Sequence, residues 1–337
     1  MKLTKRQIGQ TGLMVPTLGF GGAPLGGLLG AVDADEAALT LRSGFDSGMR
    51  YVDTAPFYGF GRSERLIGDG LRGRDYILST KVGRLLVPGA AEDPAAMGWP
   101  DALPFHPVYD YSYDGIMRSV ADSLQRLGLD RIDILYVHDI GELTHGVQNA
   151  GHFRDLAKGG YRALDELRVS GVVKAIGLGV NEEQACLDAL DIGDWDVFLL
   201  AGRYTLLEQG SLTGLMQICA DRNVSIVLGG PFNSGILVGG RTWNYSEAPQ
   251  EVIDKVAALS ACCAEYDVPL PAAALHFPLA HAAVASVIPG LRSRKELAAT
   301  QEWIRTDIPP ALWADMKAKG VLDPQAPVPG ENLYRAG

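Results

Sequence analysis

Four short segments each close a hydrophobic run on a side chain that can carry a proton: Asp53 in RYVDTAP, Tyr58 in APFYGFGRSE, Lys81 in YILSTKVG and His138 in DILYVHD. Singly, each has an ordinary explanation: a turn-forming acid, a packed phenol, a surface amine, a core imidazole. Together they describe transfer of a proton to or from an oxygen whose carbon gains or loses hydride. A free tyrosine ionises near pH ~10, too high for an efficient base at neutrality. A nearby ammonium stabilises the phenolate and lowers that value. Lys81 can act in this way on Tyr58, with Asp53, one run earlier, keeping the amine charged and oriented. A lysine interrupting an apolar strand needs such a carboxylate to offset its desolvation. A neutral His138 can hydrogen-bond the substrate oxygen. Hydride itself requires a bound carrier.

The elements that must position these groups alternate. The β-rich runs are VPTLGFG, RYVDTA, YILSTKV, IDILYVHD, VVKAIGLGV, WDVFLLAGR, VSIVLGGP and ASVIPG, separated by helix-like segments. One helix is predicted from about Asp33 to Ser47 and another from near Ser63. A third covers GIMRSVADSLQRLG, where Ile116, Val120, Leu124 and Leu127 make one buried stripe and Gly128 is the stop. Asn181, with Gln184 three residues on, reads as the N-cap of the helix after the fifth run. Two stretches read as long loops: Arg84 to Ser112, rich in proline, glycine and aromatics, and one passing through Gly151 to GYRALDELRVSG.

Regular alternation implies parallel strands joined by crossovers. Eight such units predict an α/β fold, a (β/α)8 TIM barrel with the reactive strand ends at one mouth; an open doubly wound sheet is the rival. KLTKRQIGQTGLMV reads as an N-terminal β-hairpin, about residues 1–15, turning near Gly9–Gly12 and able to plug the barrel floor. After Ile308, Pro309–Pro310 opens a peripheral helix, ALWADMKAKG, and then a loose end, the tail being about 309–337. No second domain or linker is evident, so residues 1–337 are expected to form one barrel domain.

The chain has 337 residues, 47% of them hydrophobic, and a net charge of −10, which argues against a nucleic-acid partner. No apolar stretch approaches ~18 residues, so no membrane span is expected. Gln7, Gln10 and several glycines interrupt any signal-peptide core, and a cytoplasmic location is expected. Cys186, Cys219, Cys262 and Cys263 form no CxxC and read as buried free thiols. The six histidines show no ligand spacing, so no metal is expected. The partner is a small-molecule substrate, and the assembly a monomer or small homo-oligomer.

DTAPFYG, STKVG and VHD resemble, in order and context, the catalytic tetrad of the aldo-keto reductases, and the resemblance spans nearly the whole chain. GFGGAPLG and IGLGVNEE both miss the GxGxxG spacing of a Rossmann site. The resemblance accounts for this, because the family binds a nicotinamide cofactor on the top of a barrel. It implies Tyr58 as proton donor or acceptor, supported by Lys81, Asp53 and His138. It places Asn181 on the nicotinamide carboxamide. It places PFNSGIL, from Pro231 to Leu237, over the pyrophosphate, with the backbone amides of Phe232, Ser234 and Gly235 available. VIPG and RSRKELAAT, with Ile288, Gly290, Arg294 and Glu296, would meet the adenosine. Proline and glycine in these loops would equally serve only to turn the chain.

The chain departs from the family at several of these points. Val180 stands where a serine is usual, Ala201 where a carboxamide-binding glutamine is usual, and Gly229 where an aromatic stacks on nicotinamide. Gly290 and Glu296 replace the lysine and arginine that hold a 2′-phosphate. A carboxylate repels that phosphate but accepts a bond from a free ribose 2′-hydroxyl, which implies NAD. Arg292, Arg294 and Lys295 keep NADP open. TAPFYGFGRSE, STKVGRLL, PVYDYSYDGIMRSVADSLQRLGLDRIDILYVHD and GGPFNSGIL resemble one branch of the family, the bacterial L-fucose or D-threo-aldose 1-dehydrogenases and pyridoxal 4-dehydrogenases. That likeness implies oxidation of a cyclic hemiacetal carbon to a lactone, with Tyr58 taking the hydroxyl proton. An aldose is placed first as substrate, pyridoxal (giving 4-pyridoxolactone) second. An NADPH-dependent aldehyde reductase and a non-catalytic nicotinamide-binding sensor subunit are the other readings. The long loops offer Trp99, Tyr109 and His145 to the substrate, with Phe105, His106, Tyr111, Asn149 and His152 nearby.

Overall fold

Eight short strands run parallel in chain order: β1 (Phe20–Gly21), β2 (Tyr51–Asp53), β3 (Ile77–Val82), β4 (Ile134–His138), β5 (Ala175–Val180), β6 (Val197–Ala201), β7 (Ser225–Gly229) and β8 (Val284–Ile288). They are taken from a computed structural model that describes residues 3–28 and 30–331. Each strand pairs with the next, and parallel bridges from Leu18 to Val287 and from Gly21 to Gly290 join the last strand to the first. The sheet is therefore a closed barrel, not the open rival.

The strands read as continuous apolar runs because both faces are covered. Alternate residues point inward, where Tyr51, Ile134, Tyr136, Val197, Leu199 and Val227 pack together. The others, such as Val52, Leu78, Leu135, Val137, Phe198 and Leu228, pack outward into the helix-lined core. Among the helices, α1 (Ala34–Asp46) is capped by Asp33, whose side chain accepts from Glu36 N. α2 (Arg62–Leu71) follows β2. α3 (Tyr113–Leu127) starts at the Ser112 cap and stops at Gly128, which takes a left-handed φ of 60°.

The hairpin closes the floor. Lys5–Gln7 pairs antiparallel with Met14–Pro16, and Ile8, Leu13 and Val15 are buried in the barrel interior. Gly9 N donates to Ser225 Oγ at 2.8 Å. A Cβ on Gly9 would stand 2.8 Å from Asp196 O, so the turn needs glycine there. Residues 1 and 2 of the expected hairpin lie outside the described residues.

Three expectations differ from the structure. The first long loop carries an antiparallel ribbon, Arg84–Pro88 with Phe105–Tyr109. The second is largely helical from Glu142 onward. Neither has a periodic apolar face of its own, because their inward side chains meet the barrel mouth and each other. The tail beyond the helix Pro310–Ala318 is anchored: Leu322, Ala326 and Val328 are buried beside Leu312, Trp313 and Met316. Residues 332–337 of that tail lie outside the described residues. Among the described residues, no helix is long and apolar enough to cross a membrane.

Candidate active site

Asp53 ends β2, Lys81 lies one residue from the end of β3, and His138 ends β4. All three side chains face the barrel mouth and are nearly sealed, at 2%, 2% and 4% exposure. Tyr58 sits in the turn between β2 and α2. There Gly59, Phe60 and Gly61 all take positive φ, and a Cβ on Gly59 would lie 2.2 Å from Gly26 O. That close approach presses the Tyr58 loop onto the 3-10 turn Ala23–Gly26 and sets where the phenol enters the mouth.

Lys81 Nζ donates to Asp53 Oδ2 at 2.7 Å and to Thr54 O at 2.9 Å. It lies 4.5 Å from the centroid of the Tyr58 ring. Gly179 makes room for the lysine stem, since a Cβ there would meet Lys81 Cε at 3.1 Å. Beneath the pair, Ser79 Oγ donates to Asp53 Oδ1 at 2.7 Å, and Tyr51 OH lies 3.2 Å from Ser79 Oγ and 3.0 Å from Tyr136 OH. Reading single reactive residues overlooked this support. Period-two alternation carried the signal: Tyr51, Ser79 and Tyr136 each precede a tetrad member by two positions and share its face.

Burial raises the Asp53 carboxyl, with Lys81 opposing, and burial lowers the Lys81 amine, with Asp53 opposing. Burial and then the Asp53 charge push Tyr58 well above the ordinary tyrosine value, with Arg84 opposing. The net shift is thus opposite to the lowering expected from Lys81, whose ammonium is engaged by Asp53 and Thr54. His138 is held well below the ordinary histidine value by burial, then by the Arg84 and Lys81 charges. It is neutral at pH 7, and its Nδ1 is buried without a hydrogen-bond partner.

Next to His138, Asp139 takes a left-handed φ of 42°. Its Oδ2 pairs with buried Arg84 Nη2 at 2.5 Å and its Oδ1 accepts from Asn181 Nδ2 at 3.1 Å. This explains why Asn181 does not cap the following helix as expected. Glu182 holds the cap position without a side-chain bond, and the Asn181 amide turns to Asp139 instead.

From the tetrad a cleft of about 630 Å³ runs between the strand ends and the helix Arg294–Trp303. Asp53, Tyr58 and Asn181 line one end, Leu199, Ala201 and Gly229 the middle, and Lys295 and Glu296 the far end. Pro231, Phe232, Ser234, Gly235, Ile288 and Gly290 also line it. Leu237 and Arg294 do not. Leu237 is packed in the core, and Arg294 is drawn off the cleft by a bidentate pairing with Glu36 of α1, with Nη2 at 2.8 Å and Nε at 3.1 Å. Gly235 N already donates to Phe232 O at 3.0 Å, so its amide is spent within the turn. Glu296 accepts from Arg292 N at 2.9 Å and pairs with its guanidinium at 3.2 Å. Lys295 is the cation at this end that has no ion pair among the described residues.

The cleft has the size and the mixed lining of a site for a dinucleotide. A nicotinamide cofactor bound there would supply the hydride acceptor or donor next to Tyr58. Among the described residues no group of metal-ligating side chains occurs.

Beyond Tyr58, Trp99 is buried against Phe60 and Leu86, its ring 5.6 Å from that of Tyr58 and 5.7 Å from that of Phe57. Tyr109 packs edge-on to His145 at 4.6 Å. Tyr111 OH donates to His138 O at 2.8 Å, so the 2.9 Å contact with His145 Nε2 requires the imidazole to be the donor there. His145 is pulled down to about 4, mainly by burial. Tyr111 and His145 are therefore paired with one another, while Trp99 Nε1 and Asn149 Oδ1 are buried without a hydrogen-bond partner.

Residues 17–320 match the sequence profile of the aldo/keto reductase family. The chain belongs to that family. It is 46% identical to a pyridoxal 4-dehydrogenase of Microbacterium luteolum over 94% of this chain and 98% of that protein. It is 39% identical to a D-threo-aldose 1-dehydrogenase of a Pseudomonas species over 94% and 97%. The holo form of an aldo-keto reductase from Bacillus halodurans superposes with a TM-score of 0.73 at 25% identity, covering 98% of this chain and 99% of that one. The protein is an oxidoreductase of the aldo/keto reductase type that uses a nicotinamide cofactor.

Proposed function

We propose that this reductase-family barrel oxidises the hemiacetal carbon of a cyclic substrate to a lactone, using NAD. The observation that carries this reading is the sealed Asp53–Lys81 pair, 2.7 Å apart, under a Tyr58 that opens onto the cleft. An oxidised nicotinamide held in the cleft would supply the acceptor for the hydride of the hemiacetal carbon. Tyr58 accepts the hydroxyl proton, Lys81 holds the ring from below, and neutral His138 orients the substrate oxygen. The assignment of NAD is supported by the far end of the cleft, where Glu296 stands in the lining and pairs with Arg292, Glu36 draws Arg294 away, and Lys295 is the cation without an ion pair among the described residues.

Pyridoxal, in its hemiacetal form, is the substrate this mouth suits best. Phe57 and Tyr109 are half-buried rings, Trp99 backs the Phe57 and Tyr58 rings from within, and Tyr111 OH and His145 Nε2 are engaged with His138 O and with one another. A sugar would need several unspent hydroxyl partners. An aldose stays the second reading, supported by the D-threo-aldose relative at 39% identity. Absorbance of reduced nicotinamide, followed with NAD and NADP against pyridoxal, L-fucose, D-arabinose and L-galactose, tests both. Reduction of NAD by pyridoxal is the expected outcome, reduction by sugars alone would transfer the assignment to an aldose, and no turnover of any would reject hemiacetal oxidation.

The rate should depend on pH with a definite sign. Burial keeps Tyr58 protonated at neutrality, and oxidation needs its base form. The oxidation rate is expected to climb from pH 7 to pH 10 by up to about tenfold per unit. His138 is already neutral, so no protonation step near pH 6.5 should appear. A maximum near pH 6 for oxidation would rule out Tyr58 as the base.

A further inference from the structure

A side-chain amide presents an acceptor at one end and donors at the other, and its neighbours decide which end faces the cleft. Asn181 lines the cleft beside Tyr58. Its Nδ2 donates to Asp139 Oδ1 at 3.1 Å, and a carboxylate can only accept. Its backbone carbonyl is held by Arg203 Nε at 2.6 Å. Its Oδ1 is the end that remains, reached among the described residues by Tyr245 OH alone, at 3.5 Å. Asp139 is itself fixed from the other side by Arg84 Nη2 at 2.5 Å, and it holds a left-handed φ that few residues adopt.

We infer that Asp139 is a positioning residue that locks the Asn181 amide with its oxygen toward the cleft, making that end selective for a ring substituent that donates a hydrogen bond. A primary carboxamide satisfies this and a ketone does not. The inference rests on the nicotinamide reading of the cleft. It also accounts for how that end is defined when Val180, Ala201 and Gly229 supply no side-chain hydrogen bond of their own.

Asp139→Asn gives the sharpest consequence. Arg84 offers only donors, so the new amide must turn its oxygen to Arg84 and its nitrogen to Asn181. Asn181 then has to reverse, showing donors to the cleft. Asparagine tolerates the left-handed backbone, so the turn survives the change.

The test is calorimetric titration of NAD and of 3-acetylpyridine adenine dinucleotide, whose methyl ketone replaces the carboxamide. The wild-type protein is expected to bind NAD about tenfold more tightly, the worth of one hydrogen bond against an unmatched acceptor pair. In Asp139→Asn the two affinities should converge to within about threefold, because a donor at position 181 suits either carbonyl. Equal wild-type affinities, or a tenfold gap surviving in the variant, would overturn the inference. Equal wild-type affinities overturn the inference whether or not the variant folds. Failure of the wild-type protein to bind NAD, NADP or the analogue would overturn the cofactor reading, and this inference with it.

Discussion

Tyr58→Phe is expected to lower kcat/KM by about 10³-fold while leaving the affinity for the dinucleotide within about twofold. The change removes the one oxygen that exchanges the substrate proton and keeps the ring. That ring holds its place through Trp99 at 5.6 Å and the Lys81 ammonium at 4.5 Å, and the ammonium's hydrogen bonds go to Asp53 and Thr54 and not to the hydroxyl that is removed. Steady-state rates with the best substrate, set beside calorimetric affinities, check both halves. Activity close to wild type would mean that another group takes the proton. Equal loss of activity and cofactor affinity would mean that the ring, not the hydroxyl, is what matters.

Lys81→Met carries a second large effect, on stability as well as rate. The lysine and Asp53 are almost sealed from water, and Asp53 has Ser79 as its other hydrogen-bond partner. Removing the ammonium leaves a buried carboxyl without its counter-ion. That change is expected to cost about 3–5 kcal/mol of unfolding free energy and at least about 10²-fold in kcat/KM. In the double variant Asp53→Asn with Lys81→Met, most of the stability should return, because no unpaired charge is left behind. The activity should not, because the ring has lost its cationic neighbour. Urea unfolding and steady-state rates on the wild type, single and double variants separate the two. Recovery of activity together with stability would show that the pair acts only as scaffolding.

The barrel and the reactive quartet are legible from the chain alone because both are local signals. Eight apolar runs bounded by turns report strands covered on both faces. A lysine inside YILSTKV, or a histidine closing DILYVH, stands out against its own run. A capping aspartate and a stopping glycine likewise act within a few residues, so α1 and α3 appear close to where they were expected.

The remaining features depend on contacts between residues far apart in the chain, and these the tertiary structure decided. Arg294 leaves the cleft because Glu36, distant in sequence, offers two oxygens to it. Asn181 gives up a helix cap because its Nδ2 donates to Asp139 beyond the neighbouring strand end, which turns the side chain away from the helix amides. The direction in which Tyr58 is shifted follows from desolvation and the Asp53 charge, not from the mere presence of a lysine. The amino-acid order determines which groups exist and on which strand end each one sits. Their charge states and orientations are set by desolvation and by whichever partners the fold brings within hydrogen-bond reach.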